Sequence, residues 1–307
     1  MDIAEKIKAL KEKRNAIILA HNYQIPEVQD IADYVGDSLG LSVQAAKMQA
    51  QMIVFCGVDF MAETAKILSP DKTVIIPAKE AGCPMADMIT VEQLRELKKK
   101  HPKAEVLSYV NTSAEVKAEC DLCCTSANAI AMVKEVLKDA DEIIFIPDKY
   151  LAHYVSTQTG RKFISWQGYC PSHVRILAAD ILREKKLHPE AEVMVHPECT
   201  PDVINLADQV LSTSGMCKYA KNTQAKEVIV GTEIGVLHRL RKDNPGKIFY
   251  PASELSVCPN MKLTSLETVL WSLENTSHEI ILSQEVISKA SCGIKRMLDA
   301  QELIAKR

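Results

Sequence analysis

The dipeptide Cys-Pro occurs three times in this 307-residue chain, at Cys83-Pro84, Cys170-Pro171 and Cys258-Pro259, with spacings of 87 and 88 residues. A fixed period restricts the fold more than any local propensity, because every copy must solve the same packing problem. Each Cys-Pro follows an apolar run that reads as a buried strand: TVIIPA, KFISW and KIFYPA. Other features keep the same beat. The runs AIILAHNY, EVLSYVNT and EVMVHPE end in polar residues, His21, Asn22 and Tyr23 in the first, Tyr109 and Asn111 in the second, His196 and Glu198 in the third. Asn22 to Asn111 is 89 residues and Asn111 to Glu198 is 87. Ser38, Ser126 and Ser214 stand 88 apart, each opening a helical pattern, and a further strand-like run follows in each copy: MIVFCGV, EIIFIPD and EVIVGTE.

Each unit therefore reads strand, loop, helix, strand, helix, strand, Cys-Pro. Strands alternating with helices imply an α/β fold of parallel sheets with helices packed on them. Ligands of such sheets bind at the carboxyl ends of the strands. His21, Asn111, Glu198 and the three cysteines all fall there. Three similar units assemble most simply about a pseudo-threefold axis, which brings those ends to one centre. The expected division is residues 1–84 plus C-terminal helices 265–307, residues 85–172, and residues 173–264, with the C-terminal segment folding back on the first unit.

A net charge of −3 and a pI near 6.3 argue against a nucleic-acid binder. The N-terminal stretch MDIAEKIKALKEKRN lacks the apolar core of a signal peptide, and runs such as Met52 to Cys56 are too short to span a bilayer. The reading is a cytoplasmic protein with no membrane partner. Ten cysteines in a reducing compartment are not a disulfide framework.

Widely spaced single cysteines do not suit a structural zinc site, which closes with four ligands and uses local pairs. Electron-transfer iron–sulfur proteins use four cysteines for a [4Fe–4S] cluster. Three, one from each unit, leave one iron without a protein ligand and free to act as a Lewis acid. Cys83, Cys170 and Cys258 are therefore the expected ligands of one [4Fe–4S] cluster per chain. Cys120, Cys123 and Cys124 form C-x2-C-C with no second pair, and Cys292 is isolated, so these read as structural. Neither G-x-G-x-x-G nor G-x4-G-K-[ST] is present, which removes support for nucleotide cofactors.

The segments AHNYQIPEVQDIADYVGDS, AGCPMADM, YVNTSAEVKA, CCTSANA, WQGYCPSH, HPECTPDV, STSGM and CPNMKLT span all three units and resemble the quinolinate synthase A family. The resemblance implies three pseudo-symmetric αβα domains of three layers around a central [4Fe–4S] cluster. It also implies condensation of iminosuccinate (iminoaspartate) with dihydroxyacetone phosphate to quinolinate, with loss of phosphate and water, in de novo NAD biosynthesis. Transient contact with an L-aspartate-oxidising enzyme that supplies the unstable imine goes with that activity. Position by position, it places substrate contacts on His21, Ser38, Tyr109, Val110, Asn111, Ser126, His196, Pro197, Glu198 and Thr213, and a catalytic role on Glu198, His21, Tyr23, Tyr109 and His196. Hydroxyls and amides suit carboxylates, histidines titrating near neutrality suit proton shuttling, and burial would raise Glu198 into the range of a general base. Some family members carry a C-terminal cysteine cluster; here only Cys292 occupies that region. An aconitase-like hydro-lyase and a non-catalytic cluster sensor or electron carrier are the competing readings.

Overall fold

The computed structural model describes residues 2–306. In the first unit, α1 (Ile3–Lys13) precedes β1 (Ala16–His21), α2 (Pro26–Ile31), β2 (Tyr34–Gly36), α3 (Ser38–Lys47), β3 (Met52–Cys56), α4 (Asp59–Leu68) and β4 (Thr73–Ile75). The second unit repeats the order with α5 (Val91–Lys100), β5 (Glu105–Tyr109), α6 (Ala114–Lys117), β6 (Leu122–Cys124), α7 (Ala129–Ala131, running into a π turn), β7 (Ile143–Ile146), α8 (Lys149–Thr159) and β8 (Ile164–Ser165). The third has α9 (Ala178–Leu187), β9 (Glu192–Val195), α10 (Pro201–Ile204), β10 (Gln209–Val210), α11 (Thr213–Asn222), β11 (Glu227–Gly231), α12 (Val236–Asp243) and β12 (Ile248–Pro251). Helices α13 (Leu266–Asn275) and α14 (Gln284–Ala305) close the chain.

The result is α/β with three four-stranded parallel sheets, each flanked by helices and each in the same order: β2-β1-β3-β4, β6-β5-β7-β8 and β10-β9-β11-β12. Strands covered on both faces should be continuously apolar; all six residues of β1 and all five of β3 are buried. The chain reverses its direction of travel across the sheet beside β1, β5 and β9, so their carboxyl ends are switch points where a ligand crevice opens.

Two elements per unit escape the sequence pattern. The short edge strands β2, β6 and β10 have two or three residues, too few for any periodicity to register. An aspartate holds each in place. Asp33, Asp121 and Asp208 each accept at 2.8 Å from the N–H of Ile18, Val106 and Val193 on the neighbouring strand. The same aspartates donate their own N–H to the carbonyls of those residues. Short helices α2, α6 and α10 lead into these strands; α2 and α10 begin on Pro26 and Pro201, a residue suited to a helix's first turn.

Ladder register corrects the pairing of the copies. His21 and Tyr109 lie opposite the last residues of β2 and β6, and His196 holds the corresponding place beyond the Val195–Val210 pair. Each stands 17 residues before Ser38, Ser126 and Thr213 respectively, so the third equivalent is Thr213, not Ser214. By the same register Tyr23, rather than Asn22, matches Asn111 and Glu198. Ser214 instead donates to Asp37 at 2.5 Å.

The C-terminal segment divides. Val269 and Leu273 of α13 join Ile18, Val54 and Ile75 on the outer face of the first sheet. Helix α14 lies between two units: Ala290, Ile294 and Met297 share one cluster with Leu107, Leu122 and Cys123 of the second and with Leu39 and Ile67 of the first, where the helix meets α4. A Cβ on Gly293 would sit 3.4 Å from Cys123 Sγ, so helix and sheet approach closely there. The apolar stripe of α14 shows that a face is buried, but not which sheet buries it. Cys123 and Cys124 are buried in this contact, and Cys120 in the neighbouring cluster with Val106 and Ile144.

Gly168 connects the fold to the cysteine loops. It forms a parallel bridge with Asp148, and a Cβ there would meet the Pro147 carbonyl oxygen at 2.5 Å. Gly168→Ala should force the two strand ends apart just before Cys170. The expected outcome is a loss of about 1–3 kcal/mol in urea unfolding.

Candidate active site at the threefold centre

The carboxyl ends of the three sheets face one cavity of ≈ 80 Å³. Its walls bring together His21, Tyr23, Ser38, Tyr109, Val110, Asn111, Ser126, His196, Glu198 and Thr213 with Cys83, Cys170 and Cys258. Every residue that the family resemblance places at the site is in the wall except Pro197, which lies between His196 and Glu198 without lining it; Asn22 and Ser214 also stand outside the wall. Cys120, Cys123, Cys124 and Cys292 are not in this wall.

The three cysteines share one local design. After each Cys-Pro the chain makes a single 3-10 turn: Ala86–Met88, His173–Arg175 and Asn260–Lys262. Backbone N–H groups two and three residues on face each sulfur: Met85 and Ala86 for Cys83, Ser172 and His173 for Cys170, Asn260 and Met261 for Cys258. Proline occupies the one intervening position whose N–H is not used. Carboxylates brace the cysteine amides from behind: Glu233 Oε1 accepts from Cys258 N–H at 3.2 Å, and Asp59 and Asp148 lie against the amides of Cys83 and Cys170. Burial pushes the Cys83 thiol up to about 12, Cys170 well above its ordinary value, and Cys258 upward. Such thiols stay protonated unless a metal replaces the proton, and amides aimed at sulfur favour the metal-bound thiolate. Three soft donors with matching amide cradles fit a cluster that binds one cysteine per iron.

Glu198 is 3 % exposed, yet its surroundings favour the carboxylate. Burial opposes its ionisation, but His173 and His196 lie against it and Tyr109 and His173 hydrogen-bond to it, holding the carboxyl below the usual range. Tyr109 donates to Oε1 at 2.7 Å, and His173 Nδ1 is 2.8 Å from Oε2. This reverses the expectation that burial would raise Glu198: an anion with two good donors is stabilised despite desolvation.

The histidines also differ from expectation. His21 Nδ1 accepts from the Tyr23 N–H at 3.2 Å, and His196 Nδ1 from the Glu198 N–H at 3.4 Å, the same contact in two units. The ring proton is thereby left on Nε2, which in His196 donates to Ser126 Oγ at 3.2 Å. Burial drives both histidines down to about 3. They are fixed neutral donors, not groups poised to titrate near neutrality.

His173 was not singled out by sequence. It is 1 % exposed and stacks on His196 with ring centroids 4.7 Å apart. Its Nδ1 lies 3.1 Å from Cys170 Sγ, and its Nε2 lies 2.8 Å from Thr232 Oγ1. Thr232 in turn is 2.6 Å from the Tyr23 hydroxyl. The signal was present: the third residue after each cysteine is Ala86, His173 or Met261, so His173 is where one copy departs from the others. Cys170, His173 and Glu198 also place three metal-capable atoms within 4.8 Å of one another.

Because His21 and His196 bind a proton only when unfolded between pH about 3 and the ordinary 6.5, stability is complete above 6.5 and falls as pH drops through that window. The slope is at most about 1.4 kcal/mol per pH unit for each histidine. Urea midpoints between pH 7.5 and 5 should show the decline, with a shallower slope in His196→Asn.

No helix among the described residues is long and apolar enough to cross a membrane. Residues 5–299 match the family model described as Quinolinate synthetase A protein. The chain is 56% identical over 296 residues to a quinolinate synthase of Dehalococcoides mccartyi, covering 96% of this chain and 97% of that protein. It is 54% identical over 297 residues to a quinolinate synthase of Methanosarcina barkeri, covering 97% of each. A quinolinate synthase of Thermodesulfovibrio yellowstonii is 55% identical over 295 residues, covering 96% of this chain and 97% of the relative. With the match running nearly end to end, the chain belongs to the quinolinate synthase family.

Proposed function

We propose that this chain is an enzyme of NAD biosynthesis, a transferase that condenses iminosuccinate with dihydroxyacetone phosphate to give quinolinate, phosphate and water. The observation that carries the reading is the meeting of Cys83, Cys170 and Cys258, each in the same amide cradle, in one cavity with carboxylate-binding groups. Family membership supports the product. Cys83, Cys170 and Cys258 hold the [4Fe–4S] cluster, which when bound supplies an iron without a protein ligand as a Lewis acid. Residues 1–84 with the C-terminal helices 265–307, residues 85–172 and residues 173–264 are the three modules that deliver these ligands.

Ser38, Asn111, Ser126 and Thr213 grip the substrate carboxylates through hydrogen bonds to charged oxygens. His21 adds a neutral Nε2–H donor to the same acceptors, and His196 orients the Ser126 hydroxyl by donating to its oxygen. Val110 and the His196-Pro197-Glu198 run shape the wall, and the apolar neighbours Phe60, Met61 and Met261 limit water. Tyr23 holds or releases a proton at its hydroxyl through Thr232 and His173, the chain of contacts that ends on an imidazole. Tyr109 and His173 lie against the Glu198 carboxylate, and burial together with that charge keeps the Tyr109 phenol protonated as a donor. Transient docking with an enzyme that oxidises L-aspartate would shorten the exposure of the imine to water.

Anaerobically purified protein should contain about four irons and four sulfides per chain, and Cys170→Ala should lose them. About one metal per chain would instead favour the Cys170, His173 and Glu198 group, and retained iron in Cys170→Ala would remove that cysteine from the ligand set. Glu198→Gln should keep the iron while slowing formation of the ultraviolet-absorbing pyridine dicarboxylate by about 100-fold or more. Unchanged turnover would exclude Glu198, and a product without an aromatic ring would point to a hydro-lyase.

A further inference from the structure

Asn22 lies at the end of β1, fully buried, between two residues of the cavity wall, yet it does not line the cavity itself. Its side chain is held from both sides by the third unit. Arg239, on α12, donates from Nη1 to Asn22 Oδ1 at 2.8 Å and to the Val35 carbonyl at 2.6 Å. Asn22 Nδ2 donates to Thr213 Oγ1 at 3.1 Å.

The direction of every proton in this chain is forced. A guanidinium only donates, so the amide oxygen must face Arg239 and the amide nitrogen must face Thr213. An amide NH2 also only donates, so the Thr213 oxygen accepts and its hydroxyl hydrogen is left for another acceptor. Thr213 is buried in the cavity wall and has no other side-chain partner among the described residues. Its proton can therefore serve only an acceptor inside the cavity.

We infer that Arg239 and Asn22 are positioning residues that lock Thr213 as a hydrogen-bond donor, making the cavity selective for an occupant with a carboxylate at that point. Neither residue touches the occupant. The inference rests on the proposed reading that the occupant is a dicarboxylic acid, and it assigns the cause of that preference to a helix of the third unit reaching behind the site of the first.

Asn22→Asp is the discriminating variant. It keeps the tie to Arg239, now as an ion pair, but offers Thr213 an acceptor in place of a donor, so the hydroxyl turns away from the cavity. Calorimetric titration of the anaerobic holoenzyme with succinate and with pyridine-2,3-dicarboxylate should show binding to wild type that weakens about tenfold or more in Asn22→Asp, with iron content and melting temperature preserved. In a Thr213→Val background the same change should cost less than twofold, because the hydroxyl it acts through is gone; an equal loss in both backgrounds would mean simple charge repulsion and overturn the relay. Arg239→Met, which frees the amide to flip, should show a smaller loss and serves if Asn22→Asp fails to fold. Undiminished binding in both variants, or no binding of either probe to wild type, sinks the inference. A wild type that binds dicarboxylates but makes no quinolinate would sink the proposed reaction and leave the relay standing.

Discussion

The centre of this molecule depends on keeping one buried carboxylate charged. Glu198 has almost no contact with solvent, and an unpaired charge in such a place would be prohibitively unfavourable. Its donors come from elsewhere in the chain: Tyr109 from the end of β5, and His173 from the turn after Cys170. The contact that stabilises the charge therefore also fixes how the second sheet meets the third. From His173 the contacts continue through Thr232 to Tyr23 of the first unit, so a single line of buried polar groups passes through all three.

The three copies divide their labour by holding some features in common and letting others differ. What is common concerns backbone: sheet order, the aspartate that seats each edge strand, and the amide cradle after each Cys-Pro. What differs concerns side chains at equivalent places. His21, Tyr109 and His196 share one position, and Tyr23, Asn111 and Glu198 share the next but one. A threefold scaffold thus presents an asymmetric wall, which an asymmetric substrate requires. Bracing of the cysteine amides shows the same economy: Asp148 and Glu233 occupy equivalent positions, while Asp59 reaches its cysteine from one residue further along.

Much of this was legible because it is local or periodic. Buried strands announce themselves as apolar runs, and polar residues at their ends mark the crevice of a parallel sheet. That placed Cys83, Cys170, Cys258 and most of the wall residues before any coordinates. The short edge strands β2, β6 and β10 left no trace in the pattern. His173 stands where the other two copies carry Ala86 and Met261, so nothing periodic marks it, and the spacing of Ser214 from Ser38 is a coincidence that the ladders correct to Thr213. The apolar stripe on α14 declared a buried face without naming its partners, which are the second sheet and α4 of the first unit.

By itself, the sequence determined the repeat, the parallel α/β architecture and which residues stand at the strand ends, since these follow from short-range periodicity and from the chemistry of individual side chains. Only the tertiary structure decided the protonation of the site. Whether Glu198 is pushed up by burial or pulled down by donors depends on Tyr109, 89 residues away, and on His173. Whether His21 and His196 titrate near neutrality depends on how deeply they are buried. Charge in a protein interior is set by what lies within a few ångströms in space, and neighbours in space are what a linear sequence does not state.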